Sequence, residues 1–192
     1  AGTFAPWLAY VNPQNDNWSD ELDFCLRQGA IGIKLWCSLK DAGGSPDRTR
    51  SVVALAAQRR LPVLTHTWSH TEGNPPGELN IEEFAGLAAD FPEATMVAAH
   101  AGGNWRQSIG ALSRLPNASV DVCGSFPARG TVEALLADVG ADRIVFGTDM
   151  PGRSFASQLA KVMLAEIGEE ERDLVLWKNA NRIFGLGLGD SP

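Results

Sequence analysis

The sequence predicts an α/β fold: one parallel sheet whose strands alternate with helices along a single domain, residues 1–192. Three observations carry that prediction. Short apolar and β-branched runs recur without the alternation of half-exposed strands, as expected for parallel strands covered on both faces. Each run after the first is separated from its predecessor by a helix-sized segment, which calls for right-handed crossovers rather than hairpins. Finally, 44% of the 192 residues are hydrophobic, enough for one substantial core, and no stretch of about 18 apolar residues offers a membrane span.

Taken in order, Phe4–Val11 is an apolar run broken by Pro6 and closed by Asn12-Pro13, read as a strand. Ser19 is expected to cap a helix whose Glu21, Leu22, Phe24, Cys25 and Leu26 have helical spacing and whose end is marked by Gln28-Gly29. Ala30–Trp36 is the second strand, with Lys34 inside it. In Gly43-Gly44-Ser45-Pro46, Ser45 reads as an N-cap and Pro46 as the first residue of a helix to Arg60, with Val52, Val53, Leu55 and Ala56 inward. Leu61–His66 is the third strand. A polar, proline-rich loop, Thr67–Leu79, leads to Asn80, the cap of a helix with Ile81, Phe84, Leu87 and Ala88 on one face. Thr95–His100 is the fourth strand, followed by a tight Ala101-Gly102-Gly103-Asn104 loop. A helix Trp105–Leu115, a strand Ser119–Cys123, a helix Thr131–Val139 and a strand Ile144–Thr148 follow. Two helices, about Phe155–Ile167 and Glu169–Phe184, close the chain. Strand ends at Trp36, His66, His100, Gly124 and Asp149 recur at barrel-like intervals. A closed (β/α)8 barrel typically needs about 250 residues, so this chain holds about six βα units of a TIM-barrel-type plan.

Composition narrows the partners. A net charge of -7 and a pI of about 4.9 oppose a nucleic-acid partner, which needs a clustered basic surface; small-molecule substrates fit better, and no membrane partner is expected. Cys25, Cys37 and Cys123 are scattered without metal-knuckle or disulfide spacing, which suits free thiols in a reducing, cytoplasmic setting. No signal peptide is visible, and Ala1-Gly2 at the start fits a processed, renumbered or excised chain.

The chemistry concentrates at strand ends. In Arg143-Ile144-Val145-Phe146-Gly147-Thr148-Asp149-Met150-Pro151 a carboxylate appears where a buried strand gives out, the position at which α/β barrels keep reactive groups. Leu61–His66, Ala98-Ala99-His100-Ala101-Gly102-Gly103, Phe146–Pro151 and Asn179-Ala180-Asn181-Arg182-Ile183-Phe184-Gly185-Leu186, in this order and spacing, resemble the amidohydrolase superfamily. They look like its branch of metal-dependent TIM-barrel hydrolases related to aminocarboxymuconate-semialdehyde decarboxylase. The resemblance begins at that family's third strand. It implies that His66 ends strand five, His100 strand six and Asp149 strand eight, the metal and catalytic positions. It also implies a His-x-His pair on a first strand, which nothing here matches; the chain is therefore expected to lack the first two βα units and to bind a divalent metal, zinc in the first instance, weakly or not at all by itself.

The resemblance implies a metal-dependent hydrolase of a small ester, lactone or amide. A decarboxylase of a small carboxylic acid and a truncated, non-catalytic binding or structural barrel are the alternatives. Zinc at a catalytic centre wants three protein ligands and a water, and His66, His100 and Asp149 are the ligands on offer. Asp149 also serves as proton acceptor, with His100 polarising a substrate oxygen. Trp36, Trp68 and Arg153 are the expected substrate contacts, although Trp36, Trp68 and Trp105 equally suit packing. Other roles stay open: Asp149 as a helix cap, His70 as a solvated loop residue, and Gly102-Gly103 as an anion cradle or only a tight turn. Lys34 must be paired or modified, because burying a bare ammonium is costly; a salt bridge is the default, carboxylation the minority option. Six strands without the first two leave open edges on Phe4–Val11 and Ile144–Thr148, which predicts either self-association or pairing with another segment, or a more open sheet whose gap the C-terminal helices partly cover.

Overall fold

A computed structural model describes residues 5–36, 46–74, 78–124 and 128–189. Six strands, β1 (Trp7–Val11), β2 (Ala30–Leu35), β3 (Val63–Thr65), β4 (Met96–Ala98), β5 (Ala118–Asp121) and β6 (Ile144–Val145), lie side by side in chain order, every pair parallel. Among the described residues β6 does not return to β1, so the sheet is open where a barrel would close. Helices α1 (Trp18–Arg27), α2 (Pro46–Arg59), α3 (Ile81–Asp90), α4 (Trp105–Leu112) and α5 (Thr131–Asp138) supply the crossovers. Helices α6 (Phe155–Met163), α7 (Glu169–Asp173) and α8 (Asn179–Phe184) follow the last strand. No described helix is long and apolar enough to cross a membrane.

The register divides the sheet into two faces. Leu35, Thr65, Ala98, Val120 and Ile144 align across β2 to β6. With Ala9, Val11, Ile33, Val63, Met96 and Ala118 they bury the outer face, most of it in the main core beneath the crossover helices. The other row runs through Tyr10, Lys34, Leu64, Val97 and Ser119, with Asp121 opposite Val145. On this inner face Val97, Val145 and Leu64 cluster with Ile183, Ala180 and Phe184 of α8, so the last helix covers the β6 side while Tyr10 at the β1 side stays exposed. Because the strands are aligned, their C-terminal ends open into one place.

The elements follow the sequence with instructive differences. Asn80 caps α3 in a full capping box, its side chain accepting from the Glu83 N–H at 2.8 Å while Glu83 accepts from the Asn80 N–H at 3.1 Å. Ser19 is not a cap: α1 begins at Trp18, with Asn17 in the capping position and no side-chain cap bond. Ser45 and its proposed cap lie outside the described residues, as do Phe4 and Cys37. The sixth expected strand, Ile144–Thr148, shortens to Ile144–Val145, because the Phe146 N–H turns away to Val175 O at 2.8 Å. The fourth strand stops at Ala98 and runs into a 3-10 turn, Ala99–Gly103. The expected helix Glu169–Phe184 is helical throughout but contains a π turn at Leu174–Lys178.

Candidate active site

The strand ends place the candidate residues in register. His66 follows β3 directly, its N–H donating to Leu35 O at 2.8 Å, so it continues the ladder just beyond the last β3 residue. His100 sits in the turn after β4 with φ +66°, and Ala101 follows at +45°. Non-glycine residues hold such backbone only when the surroundings impose it. Here the cause is visible: the His100 N–H donates to Asp121 Oδ1 at 2.8 Å, and the Cys123 N–H donates to the same oxygen at 3.0 Å. Gly124 makes room for this turn, since a Cβ there would meet His100 Cβ at 3.3 Å.

The two histidines meet. His100 Nε2 lies 3.1 Å from His66 Nδ1, and their rings are edge-on at 5.0 Å. His66 Nε2 lies 2.9 Å from Glu78 Oε1, and His70 Nε2 lies 2.7 Å from Glu78 Oε2. At the other end His100 Nδ1 lies 3.0 Å from Cys123 Sγ. Trp36 stacks flat on His66 at 4.4 Å and 11°, and Trp68 meets His100 edge-on at 6.0 Å. A cavity of about 30 Å³ behind the turn is lined by Trp68, His100, Trp105, Cys123 and Lys161, room for one water by volume. Trp36 and Trp68 therefore flank the histidines. Trp105 packs on the core, with the Arg106 guanidinium over its ring. His70 is half-exposed but bonded to Glu78 rather than simply solvated.

Asp149 stands beyond β6 at φ +54°, a region Asp tolerates better than most residues. It does not cap α6; Ser154 occupies that position. Its backbone O accepts from the Arg153 N–H at 3.1 Å, and its carboxylate lies 4.0 Å from Arg153 Nε, both side chains well exposed. No hydrogen bond joins Asp149 to His66 or His100, but its charge reaches His100, Lys34 and Cys123. Lys34, on the inner face of β2, has its pKa lowered by burial, opposed by the charges of Asp121 and Asp149. Burial also lowers the His100 pKa, with Asp121 working the other way. Burial, with Asp121 adding, pushes the Cys123 thiol well above its ordinary range, so it keeps its proton.

Three participants were not singled out from the sequence as site residues: Asp121, Glu78 and Cys123. Asp121 carried a signal, an acid inside the apolar run Ala118–Cys123. Glu78 carried none, being one polar residue in a polar loop. His100, Asp121 and Cys123 also present ligand atoms within 4.8 Å of one another.

A family model described as "Amidohydrolase" matches residues 1–186. No curated protein matches the sequence. Among solved structures, an uncharacterized TIM-barrel protein from Bordetella bronchiseptica is similar with a TM-score of 0.75 at 20% identity, over 92% of this chain and 65% of that one. An amidohydrolase from Burkholderia multivorans is similar with a TM-score of 0.72 at 14% identity, over 95% and 74%. A dihydroxybenzoic acid decarboxylase from Polaromonas sp., with bound manganese and the inhibitor 2-nitroresorcinol, is similar with a TM-score of 0.67 at 16% identity, over 93% and 68%.

Proposed function

The chain belongs to the amidohydrolase family, and from that premise we propose that it is a metal-dependent hydrolase of a small-molecule ester, lactone or amide, working where His66 and His100 follow the strand ends and the Asp149 loop comes over from β6. One observation carries this reading: His66 and His100, 34 residues apart in sequence, meet at 3.1 Å between aromatic walls and within reach of the Asp149 charge.

The donor set fits a divalent ion. Imidazole nitrogen and carboxylate oxygen are the ligands that catalytic zinc takes, and manganese accepts carboxylate readily. A metal-binding imidazole usually donates its second N–H to a carboxylate, which is the relation of His66 to Glu78 at 2.9 Å. His66 and Asp149 would hold the ion, with His100 beside it. A divalent ion supplies Lewis acidity, polarising a substrate oxygen and lowering the pKa of a water to about 7. Asp149, exposed enough to meet solvent, accepts the proton of the attacking water. His100 offers a ring N–H to the substrate oxygen on which charge develops. Lys34, Trp36, Trp68 and Arg153 bind and orient the substrate, the aromatic rings shielding it from bulk water.

A second reading, decarboxylation of a small carboxylic acid, is favoured by the half-buried Lys34, whose charge reaches His100, and by the flat Trp36–His66 stack, features suited to a planar carboxylate. The Polaromonas relative named a decarboxylase agrees with it. A test uses purified chain with added zinc or manganese against a panel of lactones, esters, amides and hydroxylated aromatic acids. Hydrolysis lost in Asp149→Asn and in His66→Ala supports the first reading, CO2 release with the same dependence assigns the second, and inactivity on the whole panel leaves a binding barrel.

A further inference from the structure

We propose that Glu78 is the positioning residue of this site, fixing the tautomer and orientation of His66 and, through it, the direction of the hydrogen bonds from His100 to Glu78. A carboxylate can only accept, so at 2.9 Å the His66 Nε2 must carry the hydrogen. A neutral imidazole has one such hydrogen, and His66 Nδ1 is then a lone pair. That lone pair faces His100 Nε2 at 3.1 Å, which is therefore the N–H, leaving His100 Nδ1 as the second lone pair, 3.0 Å from Cys123 Sγ. Both hydrogen bonds run toward Glu78 with one hydrogen per contact.

Glu78 is itself held in place. Its other oxygen takes His70 Nε2 at 2.7 Å, and its backbone carbonyl accepts from Asn74 Nδ2 at 3.0 Å. Asn74 Oδ1 accepts from the His70 N–H at 3.0 Å, and the Trp68 N–H donates to Leu79 O at 2.9 Å, so the loop is folded back over His66. Trp36 stacks flat on the ring at 4.4 Å, which favours this orientation of His66. The functional consequence, which rests on reading His66 as a cation ligand, is that Glu78 turns the correct nitrogen of His66 toward the site, and that a cation taking Nδ1 frees the His100 N–H for substrate.

The rival role is a tether for the loop alone. Long-range proton–nitrogen NMR of metal-free, histidine-labelled protein separates the two. Wild type is expected to show His66 protonated on Nε2 only, with a slowly exchanging N–H. Glu78→Gln, whose amide can also donate, and Glu78→Ala are expected to accelerate that exchange or shift the proton, whereas Asn74→Ala, which loosens the same loop and keeps the carboxylate, leaves His66 as in wild type. A His66 protonated on Nδ1 in wild type, an unchanged His66 in both Glu78 variants, or an equal effect of Asn74→Ala would each overturn the proposal. Zinc titration tests the functional consequence: the Kd should weaken 10–100-fold in Glu78→Gln. A wild-type chain that takes no zinc sinks the ligand role of His66 while the metal-free NMR still decides the positioning.

Discussion

At the scale of single residues, Asp149, His100 and Gly103 each give a separable prediction. Asp149→Asn removes a proton acceptor at nearly constant volume from a side chain that is 39% exposed; turnover should fall roughly 100-fold or more, the usual worth of general acid–base catalysis, with the thermal midpoint unchanged. Activity within a few-fold of wild type would deny Asp149 a chemical role. His100 has its folded pKa below the ordinary 6.5, chiefly through burial. The unfolded chain then binds a proton that the native state refuses, so stability should fall as pH drops below about 6.5 and stop falling once the lower folded pKa is passed. Urea unfolding across pH 5 to 7.5, flattened in His100→Asn, is the check. Gly103 has φ +71°, and a Cβ on it would stand 2.7 Å from the Trp68 ring. Gly103→Ala should cost about 1–3 kcal/mol and displace the ring that flanks His100, read as a lower urea midpoint together with changed tryptophan fluorescence.

At the scale of elements, local chemistry decides where helices start, and packing decides where strands stop. The α3 capping box is complete, so Asn80→Ala should destabilise the protein by about 1 kcal/mol without altering the spectrum of the native state. Equal urea midpoints would show that the rest of the chain holds the helix start. Arg143, just before β6, donates to the carbonyls of Leu112, Leu115, Ser113 and Val139, tying the end of α4 and the end of α5 to the sheet. A guanidinium does this through its planar fork, which an ammonium lacks. β6 itself is short because the helix after α7 captures the Phe146 N–H through Val175. That early exit from the ladder puts Asp149 on a loop, away from the strand end the sequence suggested.

At the scale of the whole molecule, the sheet is open along β1 and β6, and the two edges differ. The β6 edge lies under α8, with Ile183, Ala180 and Phe184 against Val145. The β1 edge carries Trp7 and Tyr10, 37% and 58% exposed, the kind of exposed edge strand that recruits a partner. Association through β1 is therefore expected: light scattering should show the mass rising with concentration, and Tyr10→Lys should suppress the rise. A chain that stays monomeric throughout would leave β1 as a tolerated edge.

The alternation of apolar runs and amphipathic segments was enough to determine the parallel α/β plan, the order of the strands and the placing of His66 and His100 after strand ends, because burial periodicity and capping residues such as Asn80 act over a few neighbours and leave their mark in the sequence. The pairing of His66 with Glu78, the grip of Asp121 on the His100 turn, the thiol contact of Cys123 and the covering of one sheet edge by α8 were decided only by the tertiary structure. Each joins groups at least 12 residues apart, whose meeting depends on strand register and on how a loop folds back. Neither is written in local residue spacing, and a carboxylate such as Glu78 reads as a solvated loop residue until the fold sets a histidine against it.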